Sequence, residues 1–380
     1  MPVSTQSARL LFAASEQNAN ILYATGFFAP DPFIYLFYGG KSHVILSDLE
    51  VDRGRREAHV DAVIPYSELA AEARKSLRRK GYDEIAETNV LAFYLKKQGI
   101  SHVEVPADFS LSIAETLRKA RISVRWVPDP FWPARETKTP EEIQYLQGAL
   151  DMTQTAMERA FEVLRAARIG KDGVLRWGNT VLTSEKLRIE IEMCIVSRGG
   201  LASHTIVAGG QQAIDPHETG SGPLFAHQLI ILDIFPRHVK SGYFGDLTRT
   251  VVRGRATDAQ RHLWEICLEG QKRAFSQIRP RMSGKIVQKD LKSFFAQNGY
   301  PTEQRDGRWS GFFHGAGHGL GLEIHEYPRF AATRFRTNHV LTLEPGIYVP
   351  GLGGVRHEDV LQVTATGSRF LSSLPKPLEI

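Results

Sequence analysis

At 380 residues the chain is too long for one ordinary hydrophobic core and fits two domains of roughly 150 residues each. Hydrophobic residues at 42% and charged residues at 23% exclude a disordered chain, and no apolar run reaches membrane-spanning length. The net charge of +5 comes from 47 basic and 42 acidic residues that are interspersed, so neither nucleic acid nor a membrane is expected as a partner.

The first residues, "MPVSTQSARLLFAASEQ", lack the basic and long apolar regions of a secretion signal. "PFIYLFYGGKSHVILS" predicts a hairpin turning at Gly39-Gly40, and "ELAAEARKSLRRKG" a helix stopped by Gly81. The basic residues of that helix, ending at Lys80, read as a solvated helix end. Short strand and helix patterns alternate to about residue 128, which sets a first, smaller α/β domain over 1–128. Residues 129–139 read as a linker, because four prolines fall within "VPDPFWPARETKTPEE".

A second domain follows over 140–380. Thr139-Pro140-Glu141-Glu142 has the form of a capping box with proline in the first turn, and the apolar periodicity from Ile143 to Leu164 predicts a helix ending near Gly170. From Leu229 onward strand patterns dominate, interrupted by one long amphipathic helix near 258–278. The pattern predicts an α+β domain with helices on one side of a largely antiparallel sheet. Cys194 and Cys267 are far apart and form no CxxC pair, which favours a reducing, cytoplasmic setting over a disulfide framework or a thiolate metal site.

The chemistry concentrates in the second domain. Asp233 and Asp246 lie on consecutive strand patterns thirteen positions apart, an odd separation that places both carboxylates on one face of a hairpin with an even loop. Neighbouring carboxylates repel, so such a pair needs a cation or an unusual pKa. Glu344 in "LTLEPGIY" and Glu358 in "GGVRHEDVLQV" stand in runs otherwise meant for apolar residues, where an unpaired acid is rarely buried. His318 lies in "HGAGHGLGLEIHE", where glycine at every second position would, in an extended strand, leave one face without side chains for something to approach closely. Four carboxylates and one imidazole balance two divalent metal ions. The oxygen-rich set favours Mn by ligand hardness, with Co or Zn as alternatives. His204, His227, His262 and His339 read as structural, and Arg356 as a residue that either orients Glu358 or binds substrate.

The motifs "LDIF…GYFGDLTRTVV", "HGAGHGLGLEIHE", "LTLEPGIY" and "GGVRHED", in this order, resemble those of the pita-bread metallopeptidases, the group containing methionine aminopeptidase, aminopeptidase P and prolidase. The resemblance covers roughly residues 140–380, and the amino-terminal region is similar to the creatinase-type domain of the last two. It implies that Asp233 binds one metal, that Asp246 and Glu358 bridge both, and that His318 and Glu344 complete the second site, with Glu344 also shuttling a proton. It further implies substrate-side histidines at His217 and His325, and another active-site histidine at His314. The implied activity is hydrolysis of an amino-terminal Xaa-Pro peptide bond by a homodimer or larger homo-oligomer. A non-catalytic binding protein, a metal-free creatinase-like enzyme and a hydrolase of a non-peptide amide on the same fold are the alternatives. The segment joining Asp233 to Asp246 is two residues longer than the family spacing, and "PTEQRDGRWSGFF" before His314 has no evident counterpart. His325 follows His318 by seven positions, so both rings can line one pocket only if the chain bends between them.

Overall fold

The computed structural model describes residues 8–78, 86–305 and 307–380, so the helix stop expected at Gly81 and the basic run's end at Lys80 lie outside the described residues. The chain divides into two compact units, Met1–Pro133 and Ala134–Ile380, with the division inside the segment read as a linker.

The first unit is a six-stranded mixed sheet. Its strands are β1 (Ala8–Ala13), β2 (Phe33–Tyr38), β3 (Lys41–Leu46), β4 (Ala62–Pro65), β5 (His102–Val105) and β6 (Ser123–Trp126), in the order β4-β3-β2-β1-β5-β6. β2 and β3 form the hairpin at Gly39-Gly40, both with positive φ as a two-residue hairpin loop requires. Side chains alternate between two cores. Leu10, Ile34, Leu36 and Ile45 pack on one face with α3 (Tyr66–Arg78), α4 (Glu87–Lys97) and α5 (Leu111–Lys119). Leu11, Phe33, Tyr35 and Val44 pack on the other with α1 (Ala19–Thr25) and α2 (Val51–Glu57). Both faces are covered, which is why "FIYL" reads as a continuous apolar run.

The second unit begins with α6 (Pro140–Ala166), whose capping box is formed by Thr139 and Glu142. The helix ends short of Gly170 because β7 (Arg168–Ile169) pairs with β8 (Leu175–Trp177), which pairs with β9 (Thr180–Val181). Then come α7 (Ser184–Ser197), β10 (Gly200–Leu201), β11 (Ile206–Gly209), β12 (Leu229–Ile234), β13 (Arg237–His238), β14 (Leu247–Val252), α8 (Asp258–Gln277) and α9 (Gly284–Gln297). The hairpin β15 (Glu303–Arg305) and β16 (Arg308–Ser310) precedes β17 (Val340–Leu343), β18 (Gly346–Val349), β19 (Gly353–Arg356), β20 (Asp359–Val363) and β21 (Ser368–Phe370).

Every strand pairing in this unit's described residues is antiparallel, but the strands form several small sheets, including β11-β12-β14, β17-β20-β21 and β18-β19, where one large sheet was expected. α6 and α7 cover Ile230, Leu232, Leu247 and Val251, whereas α8 and α9 cover Leu341, Ile347, Val355 and Leu361. The long helix expected near 258–278 is α8, and a second helix that the sequence reading did not predict, α9, follows it beyond Arg279-Pro280. α9 buries Val287, Leu291 and Phe295, a four-residue spacing that was present in the sequence. No helix of the described residues is long and apolar enough to cross a membrane.

Candidate metal centre

The site forms where three of these sheets meet. Asp233 on β12 lies opposite Thr248 on β14, and Asp246 stands two positions before Thr248, so all three side chains share a face. The connection between them is more than a hairpin loop, because it contains β13, which pairs with β10. Just before Asp246, a Cβ on Gly245 would fall 2.1 Å from Thr153 Oγ1, so only glycine allows α6 to pack this closely behind the carboxylate.

Glu344 and Glu358 occupy the breaks in their strand runs. β17 pairs with β20, and β18 with β19; Glu344 falls between the first and second members of one run, Glu358 between those of the other. At these breaks the Glu344 N–H donates to Ala316 O at 2.9 Å and the Glu358 N–H to Thr248 O at 3.2 Å.

The segment around His318 is not the regular strand that its glycine alternation suggested. It runs beside β17 through His318 O, which accepts from the Thr342 N–H at 2.8 Å, and through isolated bridges at Gly319. The close approach is nonetheless real. A Cβ on Gly317 would lie 2.1 Å from Thr342 O, one on Gly319 2.6 Å from Glu326 O, and one on Gly321 2.2 Å from the Glu326 carboxylate.

These elements bring Asp246, His318 and Glu358 together, with one ligand atom of each within 4.8 Å of the others. His318 Nε2 lies 3.5 Å from Asp246 Oδ2 and 3.5 Å from Glu344 Oε1. Asp233 joins the group through Arg356, whose Nη2 donates to its Oδ2 at 2.6 Å. Arg356 also donates to Tyr348 Oη, Thr248 Oγ1 and Pro216 O, and Thr248 donates to Glu358 Oε2 at 2.7 Å. Arg356 thus braces Asp233 directly and Glu358 only through Thr248.

The electrostatics favour a bound cation, because the alternative for these crowded carboxylates is to take up protons. Burial, then the neighbouring Glu358, Asp233 and Glu344, hold the Asp246 carboxyl well above its usual range, and Glu344 is raised by burial and by Glu358. Glu358 is pushed up to about 8 by burial and by Asp233. Arg356 alone cannot neutralise four carboxylates. Asp233 Oδ1 is buried without a hydrogen-bond partner, an orphaned acceptor that a metal ligand would leave facing its ion. His318 Nδ1 faces Gly319 O at 3.1 Å, which leaves Nε2 toward the carboxylates, and burial lowers the ring's pKa to about 3, so it is neutral and able to coordinate. The donor set therefore fits divalent metal.

Of the remaining histidines, His325, His314 and His217 stand near this group. The His325 ring meets the His318 ring edge-on at 4.3 Å, so the chain does bend between them. His314 Nε2 lies 3.0 Å from Tyr348 Oη, with a pKa lowered to about 3 by burial and by Arg356. His217 is exposed in the loop beyond β11, close enough for its charge to act on both His314 and His325. His339 is buried away from the group against Arg336. Thr248, Thr342 and Tyr348 were not singled out in the sequence, yet Thr248 and Thr342 stand two positions from Asp246 and Glu344, so period-two alternation could have found them.

A family model described as metallopeptidase family M24 matches residues 144–365. The chain belongs to this family. The Xaa-Pro dipeptidase of Pyrococcus horikoshii is 27% identical over 369 residues, covering 95% of this chain and 92% of the relative. Among solved structures, the prolidase of Pyrococcus horikoshii superposes with a TM-score of 0.77 at 24% identity, over 98% of this chain and 95% of that one. The X-Pro aminopeptidase of Thermotoga maritima gives 0.79 at 22% identity, over 99% and 98%. The fold is thus the pita-bread catalytic domain preceded by an amino-terminal domain, and the chain is a metallopeptidase.

Proposed function

We propose that this metallopeptidase is a dinuclear exopeptidase that hydrolyses the amino-terminal Xaa-Pro bond of peptides. The observation that carries the reading is the convergence of Asp233, Asp246, His318, Glu344 and Glu358 around an orphaned, buried carboxylate oxygen. The proline preference is supported by the relatives named Xaa-Pro dipeptidase. Two divalent ions, with Mn favoured by the hard oxygen donors, would be held by those five residues; when bound they acidify water and oppose the negative charge that develops on the carbonyl oxygen.

The chain's own residues do the rest. Glu344 moves a proton to the leaving nitrogen, His325 donates a hydrogen bond to the carbonyl oxygen, and Arg356 keeps Asp233 aimed. His314 stands beside Tyr348 on the pocket wall, while His217 contacts substrate at the rim. Residues 1–128 serve as a creatinase-type domain, 129–139 as its linker and 140–380 as the catalytic domain, in a homodimer or larger assembly. Both cysteines are free thiols, which supports a reducing, cytoplasmic location.

The test is a peptide panel of Xaa-Pro, Xaa-Pro-Yaa and Xaa-Ala-Yaa assayed with added Mn. Cleavage confined to the first bond of proline-containing peptides is expected, and its loss under chelation. Cleavage of Xaa-Ala-Yaa as fast as Xaa-Pro-Yaa would overturn the proline preference, and full turnover by demetallated protein would overturn the metal reading.

A further inference from the structure

His325 poses a positioning problem. Its ring is exposed, among the described residues no hydrogen bond holds it, and the segment from Gly321 to Pro328 has no helix or strand. Such a side chain needs its backbone fixed from elsewhere.

The next residue supplies the fixing. Glu326 is 4% exposed, and its Oε1 accepts from Lys138 Nζ at 2.6 Å while its Oε2 accepts from Arg135 Nη2 at 2.6 Å. Lys138 is 2% exposed and Arg135 7% exposed, so three charges are withdrawn from water together. The Glu323 N–H also donates to Glu326 Oε2, and the Glu326 N–H donates to Gly319 O at 3.0 Å, one residue from His318. The loop from Gly321 therefore wraps the Glu326 carboxylate. The cations come from the short segment leading into α6, which is itself tied down where the Lys138 N–H donates to Asn338 O at 2.8 Å. Burial alone would raise the Glu326 pKa; Lys138 and Arg135 outweigh it and hold the carboxylate ionised. Three buried charges contribute little net stability compared with apolar packing, but they accept only one geometry.

Resting on the catalytic role assigned to His325 above, we propose that the buried Lys138–Glu326–Arg135 cluster sets the position of the His325 ring, making these three positioning residues for the reaction. The hydrogen bonds that Glu326 accepts from Lys138, Arg135 and the Glu323 N–H involve no metal-binding side chain, so the expected effect falls on the substrate-side histidine and not on metal content.

The experiment is a double-mutant cycle on the Mn-loaded protein with an Xaa-Pro peptide, comparing wild type, Lys138→Met, His325→Ala and the double variant for metal content, KM and kcat. Lys138→Met is expected to keep its metal and lose on the order of a hundredfold in kcat, the scale of an ångström-sized misplacement. In the His325→Ala background the same change should cost less than about threefold, since there is no ring left to misplace. Equal loss in both backgrounds would overturn the proposal and leave the cluster a stability device. A crystal structure of Lys138→Met separates the two layers of the argument. A ring displaced from its edge contact with His318 supports the placement even if His325→Ala proves active, in which case only the catalytic reading of His325 fails; an unmoved ring overturns the placement. Should Lys138→Met not fold, Arg135→Gln leaves Lys138 to neutralise Glu326 and carries the same cycle with the same outcomes.

Discussion

Stripping the metal should give the catalytic unit an inverted pH dependence. Glu358 has an unfolded value of 4.5 and is pushed up to about 8 in the metal-free fold. A raised carboxyl contributes stability that is fully present below pH 4.5 and is lost as pH rises toward 8, because the unfolded chain releases a proton that the fold retains. The buried imidazoles act in the opposite sense: His314, His318 and His357 are lowered to about 3, so they destabilise the fold at acid pH and stop contributing above 6.5. The carboxylates are thus isolated between pH 6.5 and 8. One such group costs about 1.4 kcal/mol per pH unit, or roughly 2 kcal/mol over the window. For a unit spanning Ala134–Ile380 this lowers Tm by about 4–8 °C. Differential scanning calorimetry of chelator-stripped protein should show at least that fall, the Mn-loaded protein should be nearly flat, and Glu358→Gln should reduce the slope, leaving the share of Asp246 and Glu344. A metal-free Tm that holds or rises from pH 6.5 to 8 would refute the reasoning.

Four substitutions divide the roles of the site. Glu358→Ala should lose both metal and turnover, measured by elemental analysis beside the peptide assay; two ions retained per chain would remove Glu358 from the ligand set. Glu344→Gln keeps an oxygen donor without a basic carboxylate, so kcat should fall far more than metal occupancy, and parallel losses would remove the proton-transfer role. His325→Ala should retain metal and lose about a hundred- to thousandfold in kcat, the cost of one hydrogen-bond donor to a developing oxyanion. His318→Ala should lose metal first; near wild-type turnover in His325→Ala would leave that ring structural.

Local patterns in this sequence were legible because they obey simple periodicities. The capping box at Thr139–Glu142, the Gly39-Gly40 hairpin and the shared face of Asp233 and Asp246 all follow from spacing alone. The α9 helix was also written there, but the strand-rich context around it and Pro280 concealed it. What spacing could not give is which distant charges meet. Arg356 lies two residues from Glu358 yet points its guanidinium at Asp233, 123 positions earlier in the chain. Lys138 and Glu326 are 188 positions apart, and nothing periodic connects an ion pair of that separation.

The breaks at Glu344 and Glu358 show why an irregular sheet architecture suits a metal centre. In a continuous sheet, same-face neighbours stand side by side at roughly 4.5–5.5 Å with their side chains parallel, so carboxylates spread across a surface and do not converge on a point. Here one run pairs as β17 and then β18 with different partners, and the other as β19 and then β20. Each glutamate falls where its chain changes sheets, and its backbone N–H is satisfied by a third element, Ala316 O or Thr248 O. The side chains can then enter from separate directions while no buried N–H is left unpaired. An acid inside a strand-like run, followed by proline or preceded by an Arg-His pair, thus marks the point at which regular pairing yields to the geometry of the site.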